Sequence, residues 1–365
     1  MPKWKLGAVE QAFADAALNY SPWETVLDTA AALTDSFGAI LLPIKGGLIP
    51  NVPFTQSMNE SADAYFRDGW YLRDERNLGI NIMMQRGVTD DLDISGLDKI
   101  ERHPYYQEFL APHGLRWFAG VRVACGEDIW CLSLQRTIKQ GPFSEAEKKQ
   151  LAKLSNHLSA GAALARAMGS ATTKGAVDAF EISRTAIVLI NRMGEIFQAN
   201  PCAELLLRGE VRIVKRRLVG KDLKANLSLE RAIHDLLWRR DRGGFLPPVP
   251  LPRLGRRPLL AYPAKLPSMT ANAFADCQAI VILIDPDHVS RPAHATLQVA
   301  FGLSEAEARL AARLASGEAL EEVTQRFGIT KETGRNQLKS VFAKAGVHRQ
   351  AELVALLAPL LDRIT

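Results

Sequence analysis

The sequence has few of the residue patterns that build enzyme or metal centres. Its 365 residues include four cysteines and seven histidines, and neither set has the close spacing that zinc sites use. It contains no Gly-x-Ser-x-Gly motif, no Walker loop and no dinucleotide fingerprint. Paired carboxylates such as Asp90-Asp91 fall in a predicted polar loop. We therefore expect a protein that is not an enzyme, carries no cofactor and has no metal site.

Long apolar runs are also absent. No stretch reaches the roughly 18–20 apolar residues that a membrane helix needs. Residues 1–5 are not followed by the apolar run of a secretory signal. We expect a cytoplasmic protein that does not contact a membrane, with its cysteines as buried thiols in a reducing compartment. These cysteines are Cys125, Cys131, Cys202 and Cys277.

The composition is that of an ordinary globular protein. Hydrophobic residues make up 47% of the chain and charged residues 23%. The length predicts two to three domains, each able to bury its own core. The net charge of +5 and the pI of about 9.0 suit an anionic partner without requiring one.

One stretch near the C-terminus, residues 328–344, combines an apolar stripe with a cationic face. Thr330 is a suitable N-cap for a helix over this stretch. Apolar residues recur there at helical spacing: Leu338, Val341 and Phe342. Cations recur every four residues on a different face, with Asn336 beside them: Lys331, Arg335 and Lys339. Such a helix suits a DNA major groove, where Arg binds guanine, Asn binds adenine, and Lys reaches bases or phosphates.

The flanking residues predict further helices. Ser304 and Glu307 form a capping box that opens an earlier helix, which Gly317 ends. A second helix follows, and Gly328 makes the turn into the cationic helix. A last helix begins near Arg349. The spacing and the turn chemistry predict a helix-turn-helix, although a helical bundle that binds proteins has the same periodicity.

Residues 302–354 resemble the LuxR-type helix-turn-helix. The ordered matches are Leu303-Ser304, Glu307, Ala315-Ser316-Gly317, Phe327-Gly328-Ile329-Thr330, Thr333, Leu338, Val341-Phe342, Lys344, Gly346-Val347, Arg349 and Ala351-Glu352-Leu353-Val354. The resemblance implies a dimeric transcriptional regulator that binds a double-stranded DNA operator, with RNA polymerase as a further candidate partner. Its base-reading positions fall on Arg335, Asn336 and Lys339. Its phosphate-contacting positions fall on Thr330, Thr333 and Lys344.

Two positions depart from the family pattern. Gly334 stands where the family usually has valine, and Gln337 where it often has histidine. A glycine inside a helix costs about 1 kcal/mol relative to alanine. We also expect Gly334 to remove an apolar contact that could read a thymine methyl group.

The N-terminal third has the layout of an α+β sensor domain. Predicted helices cover 8–19, 21–37 and about 60–70, and predicted strands cover 38–44, 116–123 and 129–136. A capping box at Ser144 and Glu147 opens a long helix to about Met168. The layout, over about residues 20–165, resembles a GAF domain and the amino-terminal, autoinducer-type region of some LuxR-type regulators.

Aromatic residues are dense in this third, and aromatic walls with a few polar groups are typical of small-molecule sites. Arg73 and Arg116 are candidates to hold an anionic group. The candidate aromatic residues of an effector site are Trp70, Tyr71, Tyr105, Trp117, Phe118 and Trp130. The alternative is that these rings form the core, and the sequence does not separate the two.

The middle third resembles a PAS domain over about residues 180–285. Gly194, Ile196 and Asn200 match the opening of that fold, and further strands near 259–266 and 279–284 predict a five-stranded sheet. The resemblance implies either ligand binding or dimerisation alone. Cys202 lacks the motif of flavin-binding PAS domains. His234 is the one candidate haem ligand in range, and we expect it to be at the surface or partly buried.

The predicted fold class is therefore α+β: two mixed sensor domains followed by an all-α, four-helix unit. We place the first domain at residues 1–168, a linker at 169–179, the PAS-like domain at 180–285, a second linker at 286–298 and the helix-turn-helix unit at 299–365. We expect a homodimer that associates through the helices at 144–168 and 350–361.

Residues 208–257 carry fourteen Lys or Arg and five Asp or Glu. This basic run is either a solvated face or a set of flanking phosphate contacts.

Two other functional classes remain open beside a ligand-responsive regulator. A phosphorylated response regulator needs an ordered set of acidic residues and a lysine, and residues 38–136 do not supply that order. A constitutive dimeric regulator would use its upstream domains only for dimerisation or protein partners.

Overall fold

A computed structural model describes residues 4–44, 52–238, 244–266, 272–288 and 292–360. Within these ranges the chain is a mixture of helices and antiparallel sheets, with two sheet-containing units followed by a group of helices. The α+β class predicted from the sequence is therefore confirmed.

The first unit is built on a four-stranded antiparallel sheet in the order β1-β4-β3-β2. Its strands are β1 (Gly38–Pro43), β2 (Val88–Asp90), β3 (Leu115–Cys125) and β4 (Asp128–Thr137). β3 and β4 form the predicted hairpin, and Gly126 has the positive φ, 63°, that this tight turn requires. Successive side chains of a strand face opposite sides of the sheet. Both faces of this sheet are covered by other elements.

One face packs on α1 (Gly7–Ala17), α2 (Trp23–Leu33) and the long helix described below. The other face carries short elements. These are α3 (Asn59–Arg67), α4 (Ile80–Arg86), α5 (Asp91–Ile94), α6 (Gly96–Ile100), the 3₁₀ turns Gln56–Met58, Trp70–Leu72, Glu75–Gly79 and Ala111–His113, and a π-helical segment, Tyr105–Leu110. This second layer contains an aromatic cluster of its own.

The helix α7 (Glu145–Ile182) is 38 residues long and begins with the predicted Ser144–Glu147 capping box. It extends well beyond Met168, so the linker expected at 169–179 is helical. Gly169, Thr173 and Val177 recur every four residues and are buried. A Cβ at Gly169 would lie 2.9 Å from the Cβ of Ala275. The small residues of the predicted linker instead permit close packing of one face of the helix.

The second unit is built on an antiparallel sheet in the order β10-β11-β12-β5-β6, with β9 paired to β11. Its strands are β5 (Ala186–Ile190), β6 (Ile196–Ala199), β9 (Gly244–Phe245), β10 (Val249–Arg253), β11 (Arg256–Lys265) and β12 (Ala279–Ile284). The prediction of five strands was therefore one short. Two helices, α8 (Pro201–Leu206) and α9 (Leu223–Trp238), pack on this sheet, and a separate hairpin of β7 (Arg212–Val214) and β8 (Arg217–Val219) lies between them in the chain.

The segment 272–277 of the second unit packs into the first unit. The Phe274 ring lies 5.1 Å from Trp23 and 4.8 Å from Trp130, between ring centroids. Asn272 Nδ2 donates to the Ala165 carbonyl of α7 at 2.6 Å. Arg192 donates to two carbonyls of the segment, at 2.8 and 3.0 Å, and burial lowers its pKa to about 10. These contacts tie the two sheets together.

The C-terminal helices are α10 (His294–Phe301), α11 (Glu305–Ala315), α12 (Leu320–Phe327), α13 (Lys331–Ala345) and α14 (Gln350–Leu357), followed by a 3₁₀ turn, Ala358–Leu360. The four helices predicted here are present. The second linker was predicted at 286–298, but helix α10 already begins at His294. Its Leu297 is completely buried in the C-terminal core.

Candidate functional site

The helix α13 exposes a cationic face. Thr330 caps it, since its hydroxyl accepts a hydrogen bond from the Thr333 backbone N–H at 3.1 Å. Val341 is fully buried on the opposite side. The predicted DNA-contacting side chains at the front of the helix are all exposed: Thr330, Lys331, Thr333, Arg335, Asn336 and Lys339.

Most charges on this face are free to meet a ligand. Arg335 and Lys339 have no ion pair within the described part of the chain. Lys331 lies 4.0 Å from Glu321, and both side chains are more than half exposed. Exposed pairs of this kind contribute at most about 1 kcal/mol, so Lys331 is also available for binding.

Lys344 is placed differently from the other predicted residues. Its ammonium group donates to Glu307 at 2.7 Å, and the Ser340 hydroxyl donates to the same carboxylate at 2.6 Å. Hydrogen bonds from Lys344, Ser340 and the Ser304 backbone lower the pKa of Glu307 to about 2. Lys344 therefore joins α13 to α11, and a phosphate contact would have to compete with this buried carboxylate.

Gly334 faces the preceding helix and not the exposed face. It is buried, and a Cβ there would overlap the Thr324 side-chain methyl group of α12. The expectation that Gly334 removes a DNA-facing apolar contact was wrong for this reason. The glycine instead lets α12 and α13 approach closely at the turn.

The first unit encloses a cavity on the sheet face opposite α7. Its volume is about 90 Å³, so it has room for a small molecule. Most of the wall is apolar, with side chains from β1, α3, α4 and the π-helical segment. Residues that line it include Ile40, Leu42, Met58, Tyr65, Phe66, Ile80, Met83, Tyr105, Phe109, Leu110 and Phe118.

One carboxylate, Asp74, lies in the cavity wall with two tyrosines. The Tyr65 hydroxyl donates to Asp74 at 2.8 Å, and Asp74 also accepts from the Arg76 backbone N–H at 2.9 Å. Burial first, and the charge of Asp74 second, raise the pKa of both Tyr65 and Tyr105. Both tyrosines are therefore neutral donors at any physiological pH.

A buried ion pair forms the base of the cavity. Arg76 binds Asp91 through two hydrogen bonds, of 2.9 and 3.2 Å, and donates to Gln135 at 2.9 Å. Asp91 also accepts from the Tyr106 hydroxyl at 2.9 Å and the Phe118 backbone N–H at 2.6 Å. Burial raises the pKa of Asp91, although four donors surround it. The network fixes the guanidinium over the Phe118 ring, 4.2 Å from its centroid.

Two hydroxyl groups remain for a ligand. Thr89 Oγ1 lies in the wall, is buried and has no hydrogen-bond partner within the described residues. Ser133 Oγ accepts from Gln135 Nε2 at 2.8 Å, so its own proton is available. An apolar cavity with a few fixed polar groups is the usual composition of a small-molecule site.

Only two of the eight predicted effector residues line this cavity. Tyr105 and Phe118 line the cavity. Trp130 belongs to the opposite sheet face, against Phe274. The remaining candidates lie outside the cavity wall: Trp70, Tyr71, Arg73, Arg116 and Trp117. Arg73 stacks on the Trp70 ring, 3.7 Å from its centroid, which occupies both side chains.

Some residues of the cavity left a signal in the sequence. In β4, apolar residues alternate with the more polar Cys131, Ser133 and Gln135, which line the cavity. This alternation of period two marks a polar strand face, on the side opposite Trp130. Asp90-Asp91, expected in a polar loop, is buried: Lys148 pairs with Asp90 at 3.3 Å, and Arg76 pairs with Asp91.

The other candidate positions are as follows. His234 is 66% exposed beside Asp235, as expected for a surface histidine. Cys125, Cys131 and Cys277 are buried, and Cys202 is half-buried, so the expectation of burial was wrong for Cys202. The described residues contain no cluster of three His, Cys, Asp or Glu side chains that could hold a metal ion. None of the helices in the described ranges is long and apolar enough to span a bilayer.

Comparison with known proteins gives only distant likenesses. No family model matches the chain, and neither does any curated protein. A chain in the crystal structure of the phage VqmA–DPO complex is 14% identical, with a TM-score of 0.23, over 52% of this chain and 90% of that one. A chain in the crystal structure of the E. coli DhaR(N)–DhaL complex is 9% identical, with a TM-score of 0.25, over 76% of this chain and 87% of that one. At TM-scores this low, neither likeness bears on the function of this chain.

Proposed function

We propose that this chain is a ligand-responsive transcriptional regulator that binds specific DNA sites through α13. The observation that supports this most is the exposed row of Lys331, Arg335 and Lys339, with Asn336 beside it, on a helix whose other side is buried. In this role α12 and α13 form a LuxR-type helix-turn-helix. Arg335, Asn336 and Lys339 would contact base edges, and Thr330, Lys331 and Thr333 would contact phosphates.

The proposal includes a homodimer. Two copies of α13 about 34 Å apart would meet successive major grooves on one side of the duplex, and so prefer a two-fold-related site. Within 144–168, the long helix α7 exposes apolar side chains at Leu164 and Met168, which supports the self-association surface expected there. RNA polymerase remains a candidate partner of the bound dimer.

The cavity of the first unit is the proposed effector site. Its size restricts the effector to a small molecule, and its wall favours a mostly apolar one that bonds to Asp74, Ser133 or Thr89. Such a molecule changes DNA binding only through its differential affinity for two dimer arrangements. The role carries no catalysis. The first unit is GAF-like and the second PAS-like in this proposal.

Substitution of Arg335 tests the DNA-binding role. Wild-type protein is used to enrich sites from a random duplex library, and Arg335→Ala is then compared on an enriched site and on random DNA. The variant should lose about 1–3 kcal/mol of binding free energy on the enriched site and tolerate more bases at one position. Arg102→Ala, at an exposed cation of the first unit, is the control.

The outcomes separate the possible roles of this helix. An equal loss on both DNAs would leave Arg335 a phosphate contact and not a base contact. Failure of wild-type protein to bind any duplex at low salt would refute the regulator proposal and favour a helical bundle that binds proteins.

A further inference from the structure

The hairpin of β7 and β8 stands apart from both large sheets. It forms a two-stranded sheet of its own, with Ile213 opposite Leu218 and Val214 opposite Arg217. Leu218 is buried in the core of the second unit, and the Ile196 backbone N–H donates to the Arg216 carbonyl at 2.8 Å. All three residues of β7 are exposed. The hairpin is therefore anchored on one side and open to solvent on the other.

The turn of this hairpin has an unfavourable sequence for its shape. Lys215 and Arg216 both have positive φ, at 48° and 63°. Two-residue hairpin turns with both φ values positive strongly favour Asn-Gly, because bulky side chains are strained there. Side chains that are held in an unfavourable backbone conformation are often found at functional sites. The turn therefore points to a function for Lys215 and Arg216.

The charges of the hairpin are concentrated and largely available. Arg208, Arg212 and Lys215 are exposed, and none has an ion pair in the part of the chain that the structure describes. Arg216 pairs with Glu195 at 3.2 Å and Arg217 with Glu230 at 2.9 Å, but both pairs are open to solvent and weak. The solvent-exposed side of the hairpin therefore carries cations on both strands and at the turn. These are Arg212 on β7, Lys215 and Arg216 at the turn, and Arg217 on β8.

We propose that this hairpin contacts the phosphate backbone of DNA beside the site held by α13. The inference rests on the proposed DNA-binding function. Once α13 holds a duplex, a second cationic surface of the same chain meets that duplex at a high effective concentration. A membrane surface is less favoured. The exposed apolar side chains of the hairpin are Ile213 and Val214, each only about 40% exposed, which is too little for insertion into lipid.

The double variant Lys215→Asn/Arg216→Gly gives two predicted effects of opposite sign. It installs the turn sequence that the backbone prefers, so the thermal midpoint of the full chain should rise by about 2 °C. It also removes two phosphate contacts per hairpin. Because a dimer carries two hairpins, four contacts are lost, so affinity for a duplex of about 60 base pairs carrying the enriched site should fall about tenfold or more. The slope of log K against log salt should decrease in magnitude by about four.

Three controls make the test specific. Arg102→Gln/Lys139→Gln removes two exposed charges from the first unit and should change neither affinity nor slope. On a duplex of about 20 base pairs, trimmed to the site of α13, the hairpin variant should bind like wild type. Arg212→Ala removes a hairpin cation without altering the turn and should weaken binding to the long duplex in the same way.

The outcomes distinguish this inference from the function on which it rests. If wild type and the hairpin variant bind the long duplex with equal affinity and slope, the hairpin contact is refuted while the role of α13 stands. If only binding to phosphatidylserine vesicles is lost, the hairpin is a membrane contact and the proposal is overturned. If wild type binds no DNA, both proposals fail together.

Discussion

Gly334 is a single residue on which the packing of α12 against α13 depends. A methyl group at this position would overlap the Thr324 Cγ2 methyl, whereas the next atoms, Leu320 Cδ1 and Thr324 Cβ, lie 3.6 and 3.7 Å away in ordinary contact. The obstruction is therefore one methyl group on Thr324. Replacing glycine in the helix should otherwise be favourable by about 1 kcal/mol.

Gly334→Ala should destabilise the C-terminal unit by about 1–3 kcal/mol, because overpacking outweighs the gain in helix propensity. Thr324→Ser removes the obstructing methyl group, so in that background the same alanine should stabilise the unit. Hydrogen exchange of α12 and α13 amides in the full chain measures the effect. Gly175→Ala, in an open part of α7, is the control and should stabilise its helix. A stabilising Gly334→Ala in the wild-type background would contradict the packing.

Glu307 gives the C-terminal unit a dependence on pH. Its pKa in the folded chain is about 2, below the ordinary 4.5. A carboxyl with a lowered folded pKa contributes stability that is complete above about pH 4.5 and is lost as the pH falls towards 2. The contributing donors are Lys344, Ser340 and the Ser304 backbone.

Glu307→Gln should lower the stability of the unit at neutral pH by about 1–3 kcal/mol, because a charged acceptor of three hydrogen bonds is lost. The difference between wild type and variant should shrink as the pH falls from 4.5 towards 2. Hydrogen exchange of α11 and α13 across a pH series is the measurement. Glu305→Gln, at an exposed position of the same helical turn, should show neither effect. A difference that stayed constant down to pH 2 would argue against the ionised network.

Individual residues could be assigned from the sequence when their role is local. The cap at Thr330 and the exposed row on α13 depend on spacing within one helix, and both are present. The Arg76–Asp91 pair joins residues fifteen positions apart in sequence, across elements too short to predict. Its burial follows from tertiary packing, which no local pattern contains.

Among the helices and strands, α7 departs most from the prediction. Residues 169–179 were expected to be a linker because they are small and polar. Their small side chains instead pack against the segment 272–277, a contact between positions about a hundred residues apart. Capping boxes and the β3–β4 hairpin were predicted because the residues that form them are adjacent.

Phe274→Ala should separate the two sheet-containing units. The ring fills a site between Trp23 and Trp130, so its removal should cost about 3–5 kcal/mol. Urea unfolding followed by tryptophan fluorescence should show one transition for these units in wild type and an earlier first transition in the variant. Phe245→Ala, at a 64% exposed ring of the second unit, should leave the curve nearly unchanged. Equal behaviour of the two variants would show that the units are not coupled through this ring.

Across the whole chain, occupation of the cavity should be visible as stability. A small molecule that binds the folded chain raises its free energy of unfolding by mass action, by about 2.7 kcal/mol at a hundred times its Kd, and so raises the thermal midpoint. Ser133→Leu fills the cavity and should abolish the shift, while Ser228→Leu, on the exposed side of α9, should preserve it. A thermal-shift screen of small metabolites is the measurement.

The result of that screen also decides between the two regulator classes. A molecule that shifts wild type and Ser133→Leu equally binds elsewhere in the chain. If none shifts wild type, the result favours the proposed alternative, a constitutive regulator whose upstream units serve association. A molecule that binds the cavity and alters DNA affinity must have its own affinity changed by DNA by the same factor.

The contact of Phe274 with the first sheet has a practical consequence for the design of chimeric chains. A cut at 169–179, where the composition suggests a border, would divide a continuous helix and leave the tryptophan pair of the first unit without its third ring. The transferable cassette therefore runs from the N-terminus through Ile284, both sheets together. A different C-terminal unit should be joined only after that strand.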